Sequence, residues 1–348
     1  MQRLNKIILT AVLLAPMACS SDNGKTGPDV KPVVPPVQKE TGIEIGKVLP
    51  AWQKGEMDIH FINTTTGECA FLIMPDGTQM LIDAASSLIS TNSNGSTTNT
   101  GIRSRWDPTK TGTRGSMLIA NYLKKCMAWT GNGTIDYIVN THLHNDHFGD
   151  CNSSLPVSGN SSTYRLNGIP EILDLFPVSK VVDRGWPSYD YPFDMQTLAS
   201  NKAAVKNYVN AVKWHVENKG LKAELFKAGV TNQIVPRTSE YDVTVRNVAV
   251  NGEIWTGNGT DTKKTFPEKK DIVVANPAKI AGTDKCPAEN ICSCVMKVSY
   301  GNFDFFAVNG NLCKVYVATG EYACFGNRGF VCFFPEKSFY FVAFCRCG

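Results

Sequence analysis

The chain has 348 residues, 43% of them hydrophobic and 19% charged, with a formal net charge of +4. That length allows two ordinary domains or one large one, and the composition excludes a disordered or fibrous chain. The charge is too small to draw nucleic acid by bulk electrostatics, so no stable nucleic-acid binding is expected.

Arg3 and Lys6 precede an apolar run over residues 7–15, which has the length of a signal peptide and is too short to span a bilayer. The run ends at Pro16-Met17-Ala18-Cys19, with small Ala18 just before the cysteine and Ser20, Ser21 and Asp22 after it. Residues 1–19 therefore resemble a bacterial lipoprotein signal in which Cys19 is lipidated and becomes the new N-terminus. An ordinary secretory signal cut nearby is the alternative. Both readings export the protein, and the first anchors it to a membrane, facing the periplasm or the cell surface. Residues 20–50 carry Pro28, Pro32, Pro35 and Pro36 among polar residues and read as a semi-extended linker.

The body opens with strands. Apolar runs over residues 58–63 and 69–74 lead to the turn Pro75-Asp76-Gly77 and a third run over 79–83, which predicts a hairpin. Residues 86–112 are rich in Ser, Thr, Asn and Gly and read as a long exposed loop. Residues 116–127 have helical spacing, with Leu118, Ile119, Tyr122 and Leu123 on one side. Residues 135–140 read as a short buried strand. Strands, helix and strand imply an α/β layered domain whose last strand delivers its C-terminal end into a site.

At that end stands Thr141-His142-Leu143-His144-Asn145-Asp146-His147, which holds three of the five histidines of the chain. Imidazole and carboxylate are the ligands that suit zinc and its neighbours. His142 and His144, two apart in extended chain, project to one side and can share a metal. Asp146 and His147, in the turn that follows, are placed to reach a second.

This run is a His-x-His-x-Asp-His motif, and with it the chain resembles the metallo-β-lactamase superfamily. Leu81-Ile82-Asp83-Ala84 is similar to the early strand of that fold, whose terminal aspartate supports the metal loop from behind. The hydrolase domain of competence-type DNA-uptake proteins and its secreted relatives are the most similar members: His60 to Gly67 approximates their opening, and residues 176–185, 251–257 and 292–306 also fit. The resemblance implies an αββα sandwich over residues 51–307. It also implies two zinc ions held by His142, His144, Asp146 and His147, with Asp83 behind them and Asp146 as the catalytic residue that orients the nucleophile. The implied reaction is hydrolysis, in which metal-activated water attacks an ester-type bond. A phosphodiester is favoured by analogy, and a small-molecule substrate such as a β-lactam or lactone stays open.

Three features depart from the family pattern. The only histidine after His147 is His215, in a stretch over residues 201–219 that reads as a helix, and the expectation is a histidine on the helix surface. Asp183, at the end of an apolar strand, is a candidate additional ligand; the alternative is an aspartate closing a turn before Gly185. Past Ala307 the aspartate and histidine that complete the family site are absent, and residues 308–348 form a tail with Cys313, Cys324, Cys332, Cys345 and Cys347. That tail reads as out-of-frame translation, which would leave the C-terminal layer of the sandwich incomplete; the alternative is a genuine extension stapled by disulfides. Two functional readings follow: an exported zinc hydrolase, or a catalytically impaired, lipid-anchored binding protein of the same fold.

Overall fold

Asp58–Phe61 (β1), Ala70–Ile73 (β2) and Gln79–Ile82 (β3) form an antiparallel meander, and the Pro75-Asp76-Gly77 turn joins the last two as expected. Every residue of β2 and β3 is buried. Side chains alternate across a strand, so both faces of this sheet are covered. In the computed structural model the described residues are 50–64, 67–84, 86, 90–91, 97–98, 114–274, 286–307, and the strand residues 315–316, 322–323, 331–333 and 341–342. The signal and lipidation readings, Cys19 included, lie outside them, as do most of the linker, the 86–112 loop and the tail.

Ser90–Thr91 (β4) pairs with Thr97–Thr98 (β5). Gly115–Thr130 (α1) buries Ile119, Ala120, Leu123, Cys126 and Met127, so its inward stripe is turned from the one expected: Leu118 and Tyr122 are only half-buried. Ile135–Asn140 (β6) lies parallel to β3. Asn145–Phe148 (α2) and Gly168–Leu175 (α3) lead to Val178–Asp183 (β7), parallel to β6. Lys202–Lys219 (α4) then crosses to Lys222–Leu225 (β8), parallel to β7. The first sheet thus runs β1-β2-β3-β6-β7-β8.

Val243–Val250 (β9), Glu253–Trp255 (β10), Thr262–Lys264 (β11), Val295–Tyr300 (β12) and Phe303–Ala307 (β13) build a second, antiparallel sheet. Val315–Tyr316 (β14) and Tyr322–Ala323 (β15) pair with each other. Val331–Phe333 (β16) adds to β13, and Phe341–Val342 (β17) adds to β16, so backbone from the tail extends the second sheet. Within the 292–306 stretch, the first strand starts only at Val295. Glu289–Cys292 is instead a 3-10 turn, from which Cys294 leaves to donate its N–H to Thr141 O at 2.8 Å.

Alternation sorts the core into layers. Phe71, Ile73, Leu81, Ile138 and Val181 face the helices α1, α3 and α4. Leu72, Met80, Ile82, Val139 and Val182 face Val245, Met296, Val298 and Phe305 of the second sheet. Full burial of one such Leu or Ile contributes about 1.5–3 kcal/mol, so the central sheet is held from both sides. The result is a mixed α/β fold with helices, sheet and sheet in successive layers. Val248, Ala249, Val295 and Phe306 form a separate cluster, and among the described residues no α-helix follows α4.

Candidate metal centre

Parallel pairing of β3, β6 and β7 brings their C-terminal ends together, with Asn140 opposite Asp183 in the ladder. Chain leaving the ends of such strands is free to line a crevice. Asp83 follows β3 with φ 56, a conformation uncommon for a non-glycine residue, and its N–H bonds Val139 O at 2.9 Å. Its buried carboxylate accepts Thr141 N–H at 2.7 Å and Thr141 Oγ1–H at 2.6 Å, and lies 2.8 Å from His147 Nδ1. A carboxylate on one ring nitrogen fixes the tautomer and leaves the other, here Nε2, to face the site.

His142 and His144 follow from β6 in extended chain. His142 Nε2 lies 3.1 Å from His144 Nδ1, and the His142 and His147 ring centroids are 3.9 Å apart. Two nitrogens on one tetrahedral zinc, each at the usual 2.0–2.1 Å, would stand about 3.3 Å apart. The two ring nitrogens, in hydrogen-bond contact with each other, stand close to that spacing. Burial, reinforced by the His147, His144 and Arg184 charges, pushes His142 well below its usual range, and burial also lowers His144. Both are thus neutral near pH 7, the form in which imidazole binds metal. Burial works against charge on His147 too, but the Asp83 carboxylate outweighs it and raises that residue.

Asp146 is half-buried on α2, with Oδ1 at 3.9 Å from His147 Nε2. Its backbone is pinned by Gly67: a Cβ on that residue, whose φ is +77, would lie 1.6 Å from Asp146 O. Of the opening stretch it is Gly67, not His60, that meets the metal loop. His60 packs among Phe71, Tyr122 and Trp129, with Nδ1 at 2.9 Å from Tyr122 Oη.

Asp183 takes the turn-closing role. Its Oδ1 accepts the N–H groups of Gly185 and Trp186, both at 2.8 Å, and its Oδ2 accepts the hydroxyls of Tyr189 at 2.7 Å and Tyr208 at 2.8 Å. Four donors match the lone-pair directions of one carboxylate. The aromatic run over residues 186–193 is accordingly a packed loop in which Tyr189 is fully buried. His215 is also placed differently from the expectation: it is buried toward α3, donates from Nδ1 to Ala211 O at 2.9 Å, and sits 3.4 Å from Asp174. A cavity of about 520 Å³ adjoins it at the opposite end of β6 and β7, walled by Thr134, Val178 and Lys219 among others, and is separate from the histidine cluster.

Two groups escaped the sequence reading. Glu289 accepts Leu143 N–H at 2.6 Å and pairs with the buried Arg184 through both oxygens. Asn201 donates to Leu143 O at 2.8 Å and to Asn145 Oδ1 at 2.9 Å. Asn201 stands at the helix N-cap of α4, yet its side chain makes no capping bond, and no sequence pattern distinguishes it from an ordinary cap.

Among the described residues no three His, Cys, Asp or Glu side chains are grouped so as to hold one ion as they stand. The same holds for the buried cysteines Cys286, Cys292 and Cys294. His142 with His144, and Asp146 with His147, form two neighbouring pairs of side chains on a loop at the ends of parallel strands in a two-sheet α/β fold. Histidine and carboxylate side chains, the donor types that suit zinc and its neighbours, thus gather at one end of the parallel strands. The family model that matches is that of the metallo-beta-lactamase superfamily, over residues 130–230, from the end of α1 through β8. The match supports a metal-dependent hydrolase in general terms. No curated protein matches the chain.

Proposed function

We propose that this chain is an exported, zinc-dependent hydrolase acting on an ester-type bond, with a phosphodiester favoured by analogy with the competence-type proteins it resembles. The observation that carries the reading is the convergence of His142 Nε2 and His144 Nδ1 at 3.1 Å, beside a His147 whose Nδ1 is tied to Asp83. In this reading His142 and His144 hold one ion, and Asp146 and His147 hold the second. A bound zinc ion would supply a Lewis acid and lower the pKa of water toward neutrality. Asp146, half-buried on α2, orients the attacking water, and Asp83 keeps His147 in the tautomer that presents Nε2. Asp183 is left to the turn and its two tyrosines. Cys19 would carry the lipid anchor, placing the domain at the end of a proline-rich tether facing the periplasm or cell surface.

The second reading, an impaired or inactive anchored protein of the same fold, is favoured by one observation. Each proposed ion has two protein ligands, where catalytic zinc ordinarily has three. An out-of-frame tail after Ala307 accounts for the missing ligands and for an incomplete outer layer. Zinc content after exposure and desalting separates the two readings. Two equivalents per chain, with phosphodiester hydrolysis abolished by Asp146→Ala, supports the enzyme; near zero supports the impaired protein. Sequencing the gene tests the tail: the family residues recur in the next frame if the frame has slipped.

A further inference from the structure

Leu143 lies between the two histidines, and its side chain is fully buried. Its backbone is beyond the sheet: the β6–β7 ladder ends at Asn140 opposite Asp183. A buried N–H and C=O outside a ladder must find other partners. Here both partners are side chains from distant segments, Glu289 for the N–H at 2.6 Å and Asn201 for the C=O at 2.8 Å.

The Glu289 carboxylate is itself held. Arg184, buried and one residue past β7, donates Nε–H to Glu289 Oε1 at 2.6 Å and pairs through Nη2 with Oε2. Its remaining nitrogen, Nη1, donates to Tyr191 O at 3.0 Å and to Asn251 Oδ1 at 3.1 Å. The guanidinium is thereby fixed in its plane, and the carboxylate is fixed against it. Oε1 serves Arg184 and Leu143 at once, so the ion pair aims an acceptor at the metal loop. The chain leaving the same turn reaches the loop once more: Cys294 N–H bonds Thr141 O at 2.8 Å.

We infer that Glu289, oriented by Arg184, and Asn201 are positioning residues that clamp the peptide on each side of Leu143 and so set the distance between His142 Nε2 and His144 Nδ1. The physical reason is geometric. The backbone that carries the two rings passes through Leu143, and rotation about its φ or ψ swings one ring relative to the other. Burial of the Leu143 side chain restrains its Cβ, while the two hydrogen bonds restrain the peptide planes. Loss of one clamp leaves a buried polar backbone group unpaired and allows the planes to turn. The inference rests on the reading of these histidines as metal ligands and extends it to residues that touch no metal.

The test uses the full chain and the variants Glu289→Gln, Glu289→Ala and Asn201→Ala. The first readout needs no metal: amide hydrogen exchange at Leu143 and His144, compared with amides of β2 in the same sample. The second is cobalt(II) titration, followed by the d–d absorption bands that report ligand geometry. Exchange at Leu143 is expected to rise at least about tenfold in Glu289→Ala and less in Glu289→Gln, which retains one acceptor, with β2 unchanged. Cobalt affinity is expected to fall about 10- to 100-fold, the usual cost of losing an outer partner of a ligand, with altered bands in Asn201→Ala as well. Should Glu289→Ala fail to fold, Asn201→Ala and Glu289→Gln decide the matter. Unchanged local exchange and unchanged bands in folded variants would overturn the clamp. A wild-type chain that takes up no cobalt would remove the metal reading alone, and the exchange measurement would still decide the clamp.

Discussion

Replacement of Asp83 by Ala tests the centre most directly, because one buried carboxylate supports both halves of the metal loop. It accepts Thr141 N–H at 2.7 Å and Thr141 Oγ1–H at 2.6 Å, and lies 2.8 Å from His147 Nδ1. Hydrogen bonds to a charged group are each worth about 1.5–3 kcal/mol, but they share one acceptor and do not add. Removing one member of a buried charged pair costs about 3–5 kcal/mol, and that is the expected loss for Asp83→Ala. Asp83→Asn keeps an acceptor for Thr141 N–H, so roughly half the loss is expected. Because His147 also loses the group that fixes its tautomer, metal affinity should fall by about 10- to 100-fold. Urea unfolding of metal-free protein measures the first quantity, and competition with a chromophoric chelator measures the second. A loss under about 1 kcal/mol in Asp83→Ala, with affinity unchanged, would refute the account of Asp83 as the support of the loop.

Gly67→Ala should dislodge Asp146, since a methyl group would stand 1.6 Å from its carbonyl oxygen and φ is +77; metal uptake at the Asp146–His147 pair should drop while far-UV circular dichroism stays near wild type. Asp183→Asn should weaken the fold by about 1.5–3 kcal/mol through its tyrosine and turn contacts, yet leave zinc stoichiometry unchanged. A stoichiometric loss of zinc would restore Asp183 to the ligand set. The stability of metal-free protein should fall on both sides of pH 6.5. His142 titrates lower when folded than its ordinary 6.5, so its contribution is complete above that pH and is lost as pH falls toward the folded value. His147 titrates higher when folded, so its contribution is complete below 6.5 and is lost as pH rises through the raised value. Asp83→Asn should flatten the alkaline limb, and His142→Gln the acid limb, in thermal melts across the range.

The local part of this protein was legible in its residues. The hairpin at Pro75-Asp76-Gly77, the helix at α1, the strand at β6 and the helix at α4 follow from turn chemistry and apolar spacing, which act over a few residues. The same holds for the cluster from His142 to His147, where ligand types and spacing lie in one short run. What the residues left open depends on partners distant in the chain. Asp183 has the identity and place of a ligand, but the tyrosines at 189 and 208 claim its oxygens. His215 sits in a helix as expected, yet whether it faces solvent or α3 depends on how α4 rolls against its neighbours. Glu289 lies 146 residues from Leu143 in sequence, and Asn201 looks like an ordinary cap. Their roles exist only once parallel crossovers bring the ends of β6 and β7 together and the second sheet closes over them. Sequence spacing determined which side chains carry metal-binding donors in one short run; tertiary packing decided which of the candidates are claimed by other partners and what holds the rest in place, because a buried polar group takes whatever partner the fold brings within hydrogen-bond reach.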